Sequence, residues 1–242
     1  SLAYYNLAKL CYIEDCVDLA IVNLKKATRI DPKEREYALL LHVMESKTFC
    51  GEFKENSSDV EYNENKSRLA SNPVILNRAV EDELVSALYE LKPTLDKKTN
   101  NDARYGTRSS DFTLFDNKKP IIKILAADIT KSIMSAVNSE IFVFDSFLNI
   151  LNGGGGTIPH NHLNDLDKEI KFDLAARKYS LVYYLRVGDQ TCSEPGVLKL
   201  CDPDEDILPR EGMITIIPAC RLHSAVYNGR ADRVMIGVNF YS

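Results

Sequence analysis

The apolar residues change their spacing partway along the chain, and no other feature restricts the fold as much. As far as Val137 they recur every three or four residues, the period of a helix with one buried face. Leu19, Ala20, Val22, Leu24 and Ala27 make one such stripe, Val80, Leu84, Leu88 and Leu91 another, and Ile121 to Val137 a third. From Ile141 onward, short runs rich in β-branched and aromatic residues replace them, with turn residues between. These runs are Ile141–Ile150, Ser180–Val187, Gly196–Leu200, Met213–Pro218 and Arg233–Tyr241. A helical front followed by an all-β back predicts an α+β chain, its helices packed outside a β-barrel or sandwich.

Residues 1–48 are expected to be helical. Leu2, Tyr5, Leu7, Ala8, Leu10 and Cys11 form a first stripe, the Leu19–Ala27 stripe is closed by Asp31-Pro32, and Tyr37 to Met44 starts a third helix. Tyr4, Leu7, Ala8, Ala20, Leu24, Ala27 and Pro32 stand at the intervals of the large, small and proline positions of a tetratricopeptide unit. Such a unit cannot bury its apolar face alone; an ordinary helical hairpin is the alternative. Residues 49–66 are polar and predict a linker, leaving 67–242 as the β-containing domain. Within it, Val74-Ile75-Leu76 is a short apolar run and Asn77 to Leu91 predicts a helix. The long polar segment 95–118 is of the kind that folds over a substrate in an enzyme.

Composition removes several classes of function. A net charge of −5 leaves no basic footprint for nucleic acid. No apolar run approaches the length of a membrane span, and the first twenty residues carry charge throughout, so neither a membrane helix nor a secretory leader is expected. Six cysteines show no Cys-x-x-Cys pair. Reduced thiols in a cytoplasmic compartment are therefore expected, and zinc held by these cysteines is not. The sequence carries no signal for an oligomeric state.

Chemistry concentrates in the β-rich half. Three of the four histidines fall there: His160 and His162 as His-Asn-His, and His223 about sixty residues on. Histidine is the commonest metal-binding side chain. On a strand, residues two apart point to the same side, so a third ring from a later strand would complete one face of a metal. An iron(II) site of this kind usually takes two histidines and a carboxylate, leaving positions open for a co-substrate and O₂. Here His162 stands where the carboxylate would be expected, which leaves the metal one unit more positive; Asp165 or Asp167 is the alternative third ligand. Arg233 opens the last apolar strand and suits a dicarboxylate, because a guanidinium stays charged and grips a carboxylate through two parallel bonds. Arg230 competes with it but lies in an Asn-Gly-Arg turn. Tyr184 sits in an apolar strand where a buried hydroxyl needs a partner, and alternation lets only one of Tyr183 and Tyr184 face a pocket. Gly153–Gly156 precedes no helix start, so it predicts a flexible hairpin rather than a phosphate cradle. The acidic run from Asp202 to Asp206 lacks the spacing of a calcium loop and reads as a solvated turn.

In this order, from Phe147 to Tyr241, the residues resemble the iron(II)- and 2-oxoglutarate-dependent oxygenases. The resemblance is carried by the glycine-rich turn before His-x-His, the Tyr-Tyr-Leu strand, P-G-V-L-K-L-C-D-P, E-G-M-I-T-I-I-P, L-H-S-A-V and the Arg of the final strand. The order looks very like the prolyl-hydroxylase branch, and closer still to oxygenases with His-x-His and upstream tetratricopeptide repeats. It implies a double-stranded β-helix, also called a jelly roll, with flanking helices. It implies that His160, His162 and His223 bind iron(II), and that Arg233, assisted by Tyr184, binds the far carboxylate of 2-oxoglutarate. O₂ as second co-substrate and ascorbate as an auxiliary follow from the same resemblance, as does hydroxylation of a C–H bond with release of succinate and CO₂. The substrate is then a protein or peptide, which repeat-like helices favour, or a small molecule. The stretch Leu163 to Lys178 is longer than in similar sequences and predicts a helix or lid at the mouth of the site. Two rival readings remain: a three-histidine, cupin-like dioxygenase that needs no 2-oxoglutarate, and a non-catalytic binding module that has lost iron.

Overall fold

The computed structural model describes residues 1–51, 72–96, 107–108, 113–151 and 153–242. Most of the expected linker, and the greater part of the polar segment 95–118, lie outside the described residues. The chain divides into two compact units, Ser1–Glu64 and Asn65–Ser242.

The first unit contains helices α1 (Leu2–Ile13), α2 (Val17–Ile30) and α3 (Arg35–Gly51). Ala8, Ala20 and Ala27 are fully buried, and such small side chains let two helices approach closely. Asp31 N–H still bonds the Ala27 carbonyl at 3.0 Å, but Pro32 has no N–H to continue the ladder. The rings of Tyr5 and Tyr37 lie 4.7 Å apart. Only part of the expected first stripe is buried. Tyr5, Ala8 and Cys11 face inward, whereas Leu2, Leu7 and Leu10 are 61%, 46% and 59% exposed. Apolar residues cover more of α1 than the one face its neighbours can bury. The three helices occur where the apolar periods put them; their tetratricopeptide identity rests on residue spacing alone.

The second unit is two antiparallel sheets. Strands β1 (Val74–Asn77), β2 (Thr107–Arg108), β3 (Phe142–Leu151), β5 (Lys178–Arg186), β8 (Met213–Pro218) and β10 (Arg233–Tyr241) form the larger, in the order β1-β8-β5-β10-β3-β2. Strands β4 (Gly155–His160), β6 (Leu198–Leu200), β7 (Glu205–Ile207) and β9 (His223–Tyr227) form the smaller, in the order β4-β9-β6-β7. This is the double-stranded β-helix, with helices α4 (Asp82–Asp96) and α5 (Pro120–Val137) flanking the larger sheet.

Side-chain alternation divides the core in two. Leu84 and Leu88 of α4, and Ile122, Leu125, Ile129 and Ile133 of α5, pack with Leu148, Ile150, Leu181, Val234 and Ile236 on one face of the larger sheet. The other face contributes Leu151, Tyr184, Met213, Ile217 and Met235, which pack with Leu198, Leu200 and Tyr227 of the smaller sheet. Strand β10 is buried along its whole length. A strand covered on both faces reads as a nearly continuous apolar run, and for that reason RVMIGVNFY was recognisable.

Two expectations need correction. The helix expected from Asn77 begins at Asp82 instead, because Val74–Asn77 pairs with β8 and Arg78 N–H bonds the Gly212 carbonyl at 2.8 Å. Asp82 and Glu83 then occupy the first helical turn, where acidic side chains are favourable. The glycine run is not a hairpin. It carries the chain from β3 in one sheet to β4 in the other, and an added Cβ at Gly156 would lie 2.4 Å from the Ala225 carbonyl oxygen on β9.

Candidate metal centre

His160 is the last residue of β4 and His223 the first of β9, and the two are paired in register. His162 lies two residues past the end of β4, so the His-x-His pair is not wholly on a strand. Its backbone N–H is held instead by the Ala219 carbonyl at 2.8 Å. The three rings nevertheless converge. Centroids are 4.4 Å apart for His160 and His223, 5.0 Å for His162 and His223, and 5.1 Å for His160 and His162. One ring nitrogen from each lies within 4.8 Å of those of the other two.

The outward nitrogens fix how these rings present themselves. His160 Nδ1 lies 2.9 Å from the Ile158 carbonyl, and His223 Nδ1 lies 2.9 Å from the Arg221 carbonyl. A carbonyl only accepts, so each Nδ1 carries the proton and each Nε2 keeps a free lone pair for the cluster. His162 Nε2 stands 3.2 Å from His223 Nε2. That spacing is the edge expected between two ligands each about 2.1 Å from a common ion. Burial, with His160 adding to it, pushes the His223 imidazole down to about 4, only partly offset by the Arg221 carbonyl. His223 is therefore neutral at neutral pH, the form that binds a metal. The donor set fits a divalent transition metal.

The acidic alternatives are not at the site. Asp165 is fully exposed and pairs with Lys168, while Asp167 is buried against Lys178 and Tyr241. Among the described residues the cluster that could hold a metal is His160, His162 and His223.

Beside the histidines lies a cavity of about 80 Å³, lined in part by Arg233, Tyr184, Asn149 and Met235. At roughly 30 Å³ per liquid water it has room for about three waters. Arg233 is 1% exposed. Its Nη1 donates to the Pro195 carbonyl at 2.9 Å, its Nε approaches Met235 Sδ at 3.3 Å, and its Nη2 has no partner. The guanidinium lies over the rings of Tyr184 and Tyr227, at 5.2 and 5.9 Å. Burial lowers its pKa, and no carboxylate pairs with it among the described residues. A buried cation lacking a counter-ion and keeping a spare donor suits an anionic ligand. Tyr184 is buried as well, and burial pushes its hydroxyl up to about 12, so it stays a neutral donor.

Arg230 is exposed, and Tyr183 turns to the other face of the sheet, where its hydroxyl donates to Ala79 at 3.0 Å. Sequence reasoning passed over Asn149, whose Oδ1 is buried without a partner and whose side chain lines the cavity. A lone amide inside the apolar run of β3 was the available signal. The segment after His162 contains two short 3-10 turns, Leu166–Lys168 and Ile170–Phe172, in place of a regular helix.

No protein-family model matches the chain, and no curated protein matches it by sequence. Solved structures do. A prolyl-4-hydroxylase from Pseudomonas putida superposes with a TM-score of 0.52 at 16% identity, over 74% of this chain and 98% of its own. A prolyl hydroxylase from Trichoplax adhaerens, in complex with a peptide fragment of the hypoxia inducible factor oxygen degradation domain, gives 0.51 at 14% identity, over 77% and 94%. The non-heme α-ketoglutarate-dependent carbocyclase SnoK of nogalamycin biosynthesis gives 0.54 at 14% identity, over 77% and 85%. The chain has the fold of these oxygenases.

Proposed function

We propose that this chain is a non-haem iron(II)- and 2-oxoglutarate-dependent dioxygenase that hydroxylates a C–H bond. The observation that carries this reading is the pairing of two features in one small cavity. Three imidazoles each bring a ring nitrogen within 4.8 Å of the other two, and a buried guanidinium with an unfilled donor stands beside them. His160, His162 and His223 would hold the iron. When bound, iron(II) together with 2-oxoglutarate and O₂ supplies the oxidising power, with succinate and CO₂ as by-products.

The chain's own residues do the rest. Arg233 receives the far carboxylate and so fixes which end of the dicarboxylate faces the histidines. Tyr184, protonated at neutral pH, is a second donor on the same wall. Carbonyls of Ile158 and Arg221 keep the His160 and His223 rings in the tautomer that binds metal. Leu151, Val182 and Met235 line the cavity with apolar surface, which excludes bulk water and strengthens every charge interaction inside. A peptide or protein substrate is favoured over a small molecule, since one neighbour in fold holds a peptide fragment.

The neutral third ligand favours one rival, a three-histidine dioxygenase without 2-oxoglutarate. Arg233 opposes it, because that chemistry leaves the buried guanidinium without a counter-ion. Succinate release in the presence of iron(II), 2-oxoglutarate and O₂ tests the assignment. Release that depends on both His223 and Arg233 supports it, and unchanged release from His223→Ala and Arg233→Ala removes it.

A further inference from the structure

Asp167 takes no part in the metal cluster, yet its side chain is 0% exposed and that of its partner Lys178 3%. Burying an ion pair is costly, and the cost is recovered only with good geometry and further hydrogen bonds. Here those bonds are made. Asp167 Oδ2 accepts from Lys178 Nζ at 2.7 Å and from the Asn164 N–H at 2.8 Å, and Oδ1 accepts from the Tyr241 hydroxyl at 2.7 Å. Asn164 answers by accepting the Asp167 N–H at 3.0 Å. Lys178 Nζ also lies 5.2 Å from the ring centroids of both Phe144 and Tyr241.

These partners converge from separate parts of the fold. Lys178 opens β5 and Tyr241 ends β10, and the two are paired in register. Asn164 stands two residues after His162. A second path runs through the backbone: His162 N–H bonds the Ala219 carbonyl at 2.8 Å, and Ala219 N–H bonds the Lys178 carbonyl at 2.9 Å. Lys178 thus holds the segment around His162 twice, by its side chain through Asp167 and by its carbonyl through Ala219. The other two histidines need no such help, since register pairing of β4 with β9 fixes His160 against His223. His162 lies beyond that ladder.

We propose that Asp167, Lys178 and Tyr241 are positioning residues for His162, a buried clamp that sets the third imidazole where strand pairing does not reach. The proposal rests on the reading of the three histidines as metal ligands. It also makes the segment after His162 a fixed wall anchored at its base.

The test uses the full chain and cobalt(II) as probe. The parent is compared with Tyr241→Phe, which removes one hydrogen bond, and with Asp167→Asn/Lys178→Met, which removes both charges so that neither is left buried alone. All are titrated well below their melting temperatures. Cobalt affinity is expected to fall about tenfold or more in the double variant and by a smaller factor in Tyr241→Phe, with a changed visible cobalt spectrum in each. Should the double variant not fold, Tyr241→Phe decides alone. A brace with no role at the metal would lower the melting temperature yet leave affinity and spectrum as in the parent, and that result overturns the proposal. A parent that binds no cobalt removes the metal reading itself, and the clamp's role with it.

Discussion

Arg233 has an electrostatic problem that its own neighbours do not solve. It is buried, it lies over the rings of two tyrosines, and its Nη2 has no acceptor. Charge-assisted hydrogen bonds to an incoming carboxylate contribute roughly 1.5–3 kcal/mol each. Replacing Arg233 by Met, which keeps an unbranched apolar stem without the charge, is therefore expected to weaken 2-oxoglutarate binding by about 100-fold or more. Metal affinity should be unchanged, and calorimetry on both ligands checks the pair of outcomes. Gly196 makes a subtler case. Its φ is +77°, and an added Cβ would fall 1.7 Å from Arg233 Nη1. Gly196→Ala must displace the guanidinium and strain the backbone. It should lower stability by about 1–2 kcal/mol and 2-oxoglutarate affinity by a smaller factor than Arg233→Met, again sparing the metal.

Helix α5 packs on the sheet face opposite the cavity, with Ile129 fully buried against it. Ile129→Ala is expected to cost about 2–5 kcal/mol in chemical denaturation, while the folded fraction keeps parent-like metal affinity. That separation between a stabilising face and a functional face also explains what the sequence disclosed. Elements buried on both sides, β8 and β10 above all, announced themselves as unbroken apolar runs. Strand β4 did not, because its Gly-Gly-Thr-Ile-Pro-His sequence is rich in residues that strands avoid. Strand β7 was hidden inside an acidic turn, and β9 is only five residues long. The identity and order of the three histidines were legible, but their geometry was not. His162 lies off the strand, held by a carbonyl that periodicity cannot reveal. Asp167 looked like a spare metal ligand because nothing in a one-dimensional pattern distinguishes a solvated acid from one buried against a lysine.

Every residue assigned to the site lies in the unit Asn65–Ser242, so metal binding should be coupled to the stability of that unit. An ion present at a hundred times its dissociation constant stabilises the folded state by about 2.7 kcal/mol. For a protein of this size that corresponds to a rise in melting temperature of about 5–10 °C. Cobalt(II) or iron(II) without oxygen should produce such a shift in the parent, and His223→Ala should abolish it. The proposed function requires three imidazoles and one guanidinium to serve a single cavity. Calorimetric titration of 2-oxoglutarate into the anaerobic, iron(II)-loaded chain tests this most directly. One-to-one binding that disappears with the metal, and again in Arg233→Met, is the predicted result. A loaded chain that binds no 2-oxoglutarate, or binds it equally well without Arg233, would contradict it.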